Sequence, residues 1–392
     1  MTSSNPRGAE GLALIALALF VVATDGYVLP GLLPSIASAL GVEFPAAAQS
    51  VSAYSLTYAL SIIPLAFVTS AWPLKTALRL GLALFAVGCL GSALATNLSL
   101  MLVARCCCGL AAAIVVPTAG AAAIALQPPN RHGRAISIIM LSMSCATAIG
   151  SPLGALIAGI FGWRVTLLLV TSLAGVTLVG LCLPRPAWPA RKRVEGVPSL
   201  LTDRLLLLEL ATAYLGFVGV YCVYVYVGPV FDRATASSQS TLALLLWLWG
   251  VASVAGSIAA AWLCDRLGAK NMVFITLVCL GVDFAIMPVT SQSFASTLAS
   301  VAVWGFTGVM LSIALQRQLI GRSPQHVAVL TAFFVCVLQG GIATAGAVGG
   351  TLIGFVDAHN LPLAGSAFIA AAFLVQWVAV SAVGAGLARK PA

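Results

Sequence analysis

Charged residues are scarce in this chain. Aspartate, glutamate, lysine and arginine make up 7% of 392 residues, 61% are hydrophobic, and the mean hydropathy is +1.08. Soluble domains carry about 25% charged residues, so a water-soluble globular fold is excluded. Ten acidic residues face 19 basic ones. The resulting charge of +9 does not indicate nucleic acid, because the basic residues fall in small groups between apolar runs and build no arm or stripe. Histidine is rarer still. His132, His326 and His359 read as loop residues, so no metal cluster is expected. The sequence also lacks G-x-x-x-x-G-K-[ST], G-x-S-x-G and H-E-x-x-H. ATP-driven transport and intramembrane hydrolysis therefore have no motif to stand on, and neither an enzyme nor a bound cofactor is expected.

Cysteine is not lacking, but its placement is uninformative for disulfides. Cys89, Cys145, Cys182, Cys222, Cys279 and Cys336 lie inside apolar runs, where the thiol behaves as a small hydrophobe. Free thiols are expected. Consecutive Cys106, Cys107 and Cys108 point about 100° apart around a helix, so the three do not converge on one ion and read as packing residues. The opening "MTSSNPRGAEGLALIALALF" resembles a secretory leader, but its apolar run is too long and has no cleavage site, so it is read as a retained first span.

What is abundant is long apolar sequence. A span needs about 20 such residues. Twelve segments qualify: 11–34, 48–69, 78–96, 99–125, 135–160, 165–184, 204–230, 240–263, 272–290, 295–319, 328–354 and 363–387. The expected class is an all-α integral membrane protein. The polar, basic stretch "RPAWPARKRVEGVPSLLTD" divides the spans six and six, giving an N-terminal bundle at 1–184, a linker at 185–203 and a C-terminal bundle at 204–392. With the N-terminus inside, 16 of the 19 basic residues fall in inside segments. Only Arg164 and Arg233 fall outside, and Arg105 falls within a span. That asymmetry places both termini and the linker in the cytoplasm. The second half echoes the first: "PLAFVTSAWPLKTALRLGLAL" and "AAWLCDRLGAKNMVFITLVCL" follow corresponding spans. Paired six-span halves describe a transporter architecture with substrate held near the midplane.

Residues 262–270, "WLCDRLGAK", supply a motif. Asp265, Arg266, Gly268 and Lys270 resemble the signature cytoplasmic loop of the major facilitator superfamily, with Ala261 in place of its leading glycine. Gly268 permits a tight turn, and Asp265 is placed to face the positive end of a neighbouring helix. The first-half copy departs from the pattern, with Ser70 and Ala71 where Asp and Arg are expected. Arg105 with Gly109, in "LVARCCCGLAAAIVVPTAG", resembles the family's intramembrane arginine motif. About two turns from the span's end, Arg105 either snorkels outward or faces the bundle interior. "ATAIGSPLGALIAG" carries Gly150, Pro152 and Gly154, similar to the glycine- and proline-rich fifth span of antiporters in that superfamily, with the proline one place late.

The remaining anomaly is Asp25, in "TDGYVLPGLLPSIASALGV", which resembles the first span of the bacterial drug:proton antiporter group (the arabinose, nucleoside and drug exporter type). A charged Asp at a bilayer centre costs on the order of 3 kcal/mol. The resemblance implies that Asp25 carries the coupling proton and that Arg105 tunes it. The alternative is a permanently protonated Asp bonded to a hydroxyl. Asp283, in the ninth span, is a second intramembrane acid, read either as a coupling group or as bonded to a neighbour such as Thr307. By resemblance, spans 1, 4, 7 and 10 line the centre with help from 2, 5, 8 and 11. This nominates Tyr54, Tyr58, Tyr221, Tyr224, Trp247, Trp304 and Gln339 for substrate contact. Asp203, Glu209, Asp232, Glu10, Glu43, Glu195 and Asp357 read as solvated terminal or loop charges. The expected protein is a monomer in the bacterial inner membrane, contacting lipid, protons and a small-molecule substrate, with no metal and no nucleic acid. The expected function is proton-coupled efflux of drug-like compounds, or else export of one metabolite on the same fold.

Overall fold

The structure, a computed structural model, describes residues 6–128, 132–183, 188, 203–323 and 326–384. Among these residues the regular structure is helical, and twelve helices are long and apolar enough to cross a membrane. The linker assigned to 185–203 lies outside the described residues except at 188 and 203. So do Arg131, Arg185, Arg191, Lys192, Arg193, Arg389 and Lys390, on which the orientation rests, and Glu195.

The chain forms two compact units, Met1–Val194 and Glu195–Ala392. The first holds α1 (Pro6–Leu40), α2 (Phe44–Ser70), α3 (Leu74–Ala93), α4 (Leu98–Ala125), α5 (His132–Cys145), α6 (Ser151–Phe161) and α7 (Trp163–Cys182). The second holds α8 (Arg204–Val225), the one-turn helices α9 (Val227–Val230) and α10 (Asp232–Thr235), then α11 (Gln239–Leu267), α12 (Ala269–Thr290), α13 (Phe294–Arg322), α14 (Val327–Ile353) and α15 (Leu361–Gly384).

Three boundaries differ from the apolar pattern, each for a backbone reason. The first span runs past the Gly-Leu-Leu-Pro stretch to Leu40, with Pro30 and Pro34 inside the helix. Lipid offers no other partner to its carbonyls, so the helix continues. The seventh span stops at Val225 rather than 230, because Pro229 has no amide hydrogen to extend it. The fifth span opens into a π turn, Ala146–Gly150, where the amide of Ser151 reaches back to the Ala146 carbonyl. Pro152 has no N–H for the next carbonyl, and the widened turn absorbs the mismatch.

The two units use one packing scheme. In the first, α4 packs on α2 and α3, α3 on α7, and α1 on α5, α6 and α7. In the second, α13 packs on α11 and α12, α12 on α15, and α8 on α14 and α15. The correspondence reaches single residues. A Cβ on Gly109 would collide with the Tyr54 carbonyl oxygen, and one on Gly305 with that of Trp249. The helix caps repeat as well: the Asn97 side chain accepts from the Leu100 amide, and Ser293 accepts from Ser296. Gly109 and Asn97 are each followed 196 residues later by their counterpart, and Tyr54 by Trp249 after 195.

Candidate functional site

Asp25 sits on α1 and is 0% exposed; Arg105 on α4 is 1% exposed. Arg105 therefore points inward rather than snorkelling. One nitrogen, Nη1, donates to both carboxylate oxygens at 2.9 Å. The guanidinium lies 4.8 Å from the ring centroid of Tyr54, whose ring meets Tyr58 edge-on at 6.0 Å. Arg105 Nε is buried without a partner. The bare carboxylate is thus offset by a cation and an aromatic face, at a site sealed from solvent.

Small residues bring these helices together. At Gly109, α4 touches the α2 backbone that carries Tyr54. In the fifth span, a Cβ on Gly150 would run into Thr24 Oγ1, and one on Gly154 into Val28 Cγ2. Ser151 Oγ also donates to the Tyr27 carbonyl at 3.0 Å. The Gly150, Pro152 and Gly154 motif is therefore a seat for the turn of α1 that carries Asp25.

The cysteine trio diverges as its spacing requires: Cys106 Sγ faces the Ala53 carbonyl, whereas Cys108 is buried. Reading Cys108 as packing alone needs correction. Its Sγ lies 3.8 Å from Cys89 Sγ, and Cys89 donates to Asp25 Oδ1 at 3.8 Å. Ligand atoms of Asp25, Cys89 and Cys108 all fall within 4.8 Å of one another. The convergence comes from three helices, which spacing along one helix does not reveal. These are the atoms that a thiophilic ion would use, but the carboxylate's charge is already balanced by Arg105.

In the second unit, Tyr221, Tyr224 and Trp304 come together with Trp249, which the sequence reading missed. Tyr224 lies 4.7 Å from Trp249, 5.8 Å from Tyr221 and 6.0 Å from Trp304. Aligning the repeats exposes Trp249, since it corresponds to Tyr54. Trp247 stands apart at 51% exposed, a residue turned out of the unit's interior. Gln339 on α14 has a buried Oε1 without a partner. Asp283 bonds Ser300 and not Thr307, whose hydroxyl donates to the Val303 carbonyl.

At the loop motif, Gly268 has φ +81°, the left-handed backbone its turn requires. Asp265 pairs with Arg317 of α13 at 2.6 Å. Arg266 lies over Trp262 at 4.4 Å, and Lys270 is exposed. In the first unit, where Ser70 and Ala71 remove the acid, Lys75 donates to the Leu183 carbonyl and Arg79 twice to that of Leu181, capping the carbonyl end of α7.

Two expectations are overturned: Glu209 is not a solvated charge, and His132 is not a loop residue but opens α5. Glu209 is buried and receives two bonds from Arg322, at 2.8 and 3.0 Å, while Asp203 joins at 3.2 Å. His359 is buried in the 3-10 turn Ala358–Asn360. Asp357, exposed as expected, accepts from the His359 amide and from Arg233 at 2.6 Å. Glu209→Ala is expected to strand the Arg322 charge and lower stability by about 3 kcal/mol, read as a fall in thermal unfolding temperature. Glu209→Gln is expected to cost less.

The His359 amide and Arg233 hold the Asp357 carboxyl below its ordinary value. A lowered acid contributes stability above its unfolded value of 3.8 and loses it as pH falls through the folded one. Asp357→Asn is therefore expected to lower the unfolding temperature slightly at neutral pH and to leave it unchanged in strong acid, checked by thermal melts at both.

Two units of six candidate membrane-crossing helices each, with an Asp–Arg pair buried in one of them, are the architecture of a membrane transporter. The chain belongs to the Major Facilitator Superfamily, whose profile matches residues 15–346. It is 26% identical to an uncharacterized MFS-type transporter, YtbD, of Bacillus subtilis, over 96% of this chain and 97% of that one. A probable sugar efflux transporter of Helicobacter pylori is 25% identical over 92% and 91% of the two chains. A chloramphenicol efflux pump of Mycobacterium tuberculosis is 27% identical over 89% and 87%. Among solved structures, a crystal structure of a point mutant of the nucleoside transporter NupG superposes with a TM-score of 0.77 at 14% identity, covering 94% of this chain and 99% of that one. The protein is therefore a multi-pass membrane transporter, not an enzyme.

Proposed function

We propose that this transporter exports small, drug-like molecules from the bacterial cytoplasm in exchange for inward-moving protons. It works by alternating access in the inner membrane, with both termini cytoplasmic. The observation that carries this reading is Asp25, fully buried and held by Arg105 beside Tyr54. An acid placed at such expense is used. Substrate arriving from the cytoplasm competes with the proton: as it binds, Asp25 releases its proton to the cytoplasm and closes on Arg105. After substrate leaves on the far side, a proton from that side reloads Asp25 and frees Arg105 Nη1. Proton and substrate thus hold the site by turns and move in opposite directions. The Asp25–Arg105 contact is thus a switch thrown by a proton or by a competing ligand.

The chloramphenicol efflux pump among the relatives supports a drug-like substrate. The sugar efflux relatives favour a second reading, a dedicated exporter of one polar metabolite on the same site. The test is counterflow in proteoliposomes against a panel of cationic drugs, neutral drugs, sugars and nucleosides, with and without an imposed pH gradient. Acceleration of several unrelated drugs by the gradient supports the first reading. Acceleration of a single polar compound supports the second, and transport indifferent to the gradient rejects proton coupling.

A further inference from the structure

Asp25 is not the only carboxyl buried in the membrane-spanning helices. Asp283 on α12 is 5% exposed. Its Oδ1 accepts a 2.6 Å bond from Ser300 of α13, and its Oδ2 is buried without a partner. No cation among the described residues reaches it. The helices packed on α12 are α11, α13 and α15. Among described residues, their charged groups are Asp265 and Arg266 on α11, and Arg317 and Arg322 on α13, while α12 itself adds Lys270. All of these stand at helix ends three or more turns from the Asp283–Ser300 contact, and α15 has none. The other titratable groups are Cys264, exposed Cys279 and His359.

The repeat gives the position meaning. Asp283 corresponds to Gly88, Ser300 to Ala104 and Trp304 to Cys108, at the offsets of 195 and 196 residues that the glycine contacts define. A Cβ on Gly88 would point at Cys108 Sγ and the Ala104 carbonyl, the floor of the Asp25 cluster. Each unit thus places one carboxyl at the same level of its third and fourth helices. One has an arginine and the other a serine. Trp304 Nε1, one turn beyond Ser300, is also buried without a partner. Orphaned buried polar atoms are uncommon and call for an explanation, a bound proton or water among them. Without a cation, a proton is the smallest species that neutralises Asp283 there.

Polar side chains stand along the seam toward the His359 end, interrupted by buried Met287. Met287 and Ser291 stand one and two helical turns along α12 from Asp283. Ser291 Oγ donates to the Met287 carbonyl at 2.6 Å and lies 3.2 Å from His359 Nδ1. Across the seam, Thr297 bonds the Ser293 and Thr290 carbonyls, one turn before Ser300. The His359 amide in turn donates to Asp357, which pairs with Arg233. In the other direction α12 carries Leu280, Leu277 and Thr276, whose hydroxyl is spent on the Met272 and Val273 carbonyls of its own helix, and Phe284 and Trp304 flank the site, all buried. We propose that Asp283 is a second proton-binding site, in the C-terminal unit, loaded along the α12–α13 seam from the His359 end.

This rests on the proton-coupled reading above and adds one proton to each cycle. The test is infrared difference spectroscopy of the purified protein in lipid, titrating pH and following the band of the protonated carboxyl. A band that titrates in wild type and in Asp25→Asn, and is lost in Asp283→Asn, supports the site. Ser300→Ala should displace that titration, and His359→Ala should slow proton uptake after a pH jump. In proteoliposomes, Asp283→Asn should lower the proton-to-substrate ratio by one; the coupling that remains runs through Asp25, the acid that competes with substrate, without which Asp283 alone drives no efflux. A band that never changes with pH, or one unaffected by Asp283→Asn, overturns the proposal. Should Asp283→Asn not fold, Asp283→Glu carries the same test by shifting the band rather than removing it. If the band titrates but transport ignores the pH gradient, the coupling reading fails and the binding site stands.

Discussion

Asp25→Asn is expected to abolish pH-gradient-driven efflux in proteoliposomes while leaving counterflow of substrate and the fold in place. Asparagine keeps the size of the side chain and a polar atom at each position but neither binds nor releases a proton. It also leaves Arg105 with a neutral acceptor, so the helices stay joined by a hydrogen bond, at a cost in stability because the buried arginine loses its counter-charge. Arg105→Ala is a harsher change. It strands a buried carboxylate, and truncating one partner of a buried pair costs about 3–5 kcal/mol. Reduced expression and a shifted pH optimum of the residual activity are expected. The double variant Asp25→Asn/Arg105→Gln should regain much of the stability that Arg105→Ala loses, because no unpaired charge remains. If Asp25→Asn retains full gradient-driven transport, the role given to this acid is wrong. If Arg105→Ala leaves both stability and pH profile unchanged, the pair contributes nothing.

The second large effect is Gly109→Val. Even a Cβ here would collide with the Tyr54 carbonyl oxygen and stand 3.2 Å from Thr57 Cβ. The first obstacle is backbone, so no rotamer relieves it, and α4 must part from α2. That separation also pulls Arg105 from under Tyr54. We expect loss of monodisperse protein in detergent, or, if some folds, a large fall in unfolding temperature together with loss of transport. Gly305→Val, its repeat counterpart against the Trp249 carbonyl, should behave the same way. Gly120→Val serves as the control: nothing lies within 4 Å of its added Cβ, so its effect should be small. Equal damage at Gly109 and Gly120 would show that α4 objects to valine anywhere, not to a close approach.

The fold was legible because its cause is written residue by residue: twelve runs of apolar sequence, each long enough to satisfy its own backbone in lipid. Asp25, Arg105 and the fifth-span glycines stood out for the converse reason, as residues a lipid-crossing helix tolerates only for a purpose. What stayed hidden depends on rotation about helix axes. The rotation brings Cys108 to Cys89 and turns Trp247 outward, and neither a period nor a motif encodes it when every face is apolar. Glu209 was misread because its arginine, Arg322, is more than a hundred residues away at another span's end. Trp249 was recoverable from the repeat, since Gly305 marks its partner helix as Gly109 marks that of Tyr54.

The loop ends of the two units hold their basic residues differently. In the second unit, Arg317 answers an exposed carboxylate, Asp265, by a direct ion pair at the surface. In the first, Arg79 answers the carbonyl of Leu181 through two hydrogen bonds to a neutral oxygen. Dissolved ions weaken an exposed charge pair far more than a bond to an uncharged oxygen. A rise in ionic strength from dilute buffer to molar salt therefore weakens the Asp265–Arg317 contact between α11 and α13 and leaves the Arg79 contact between α3 and α7 nearly unchanged.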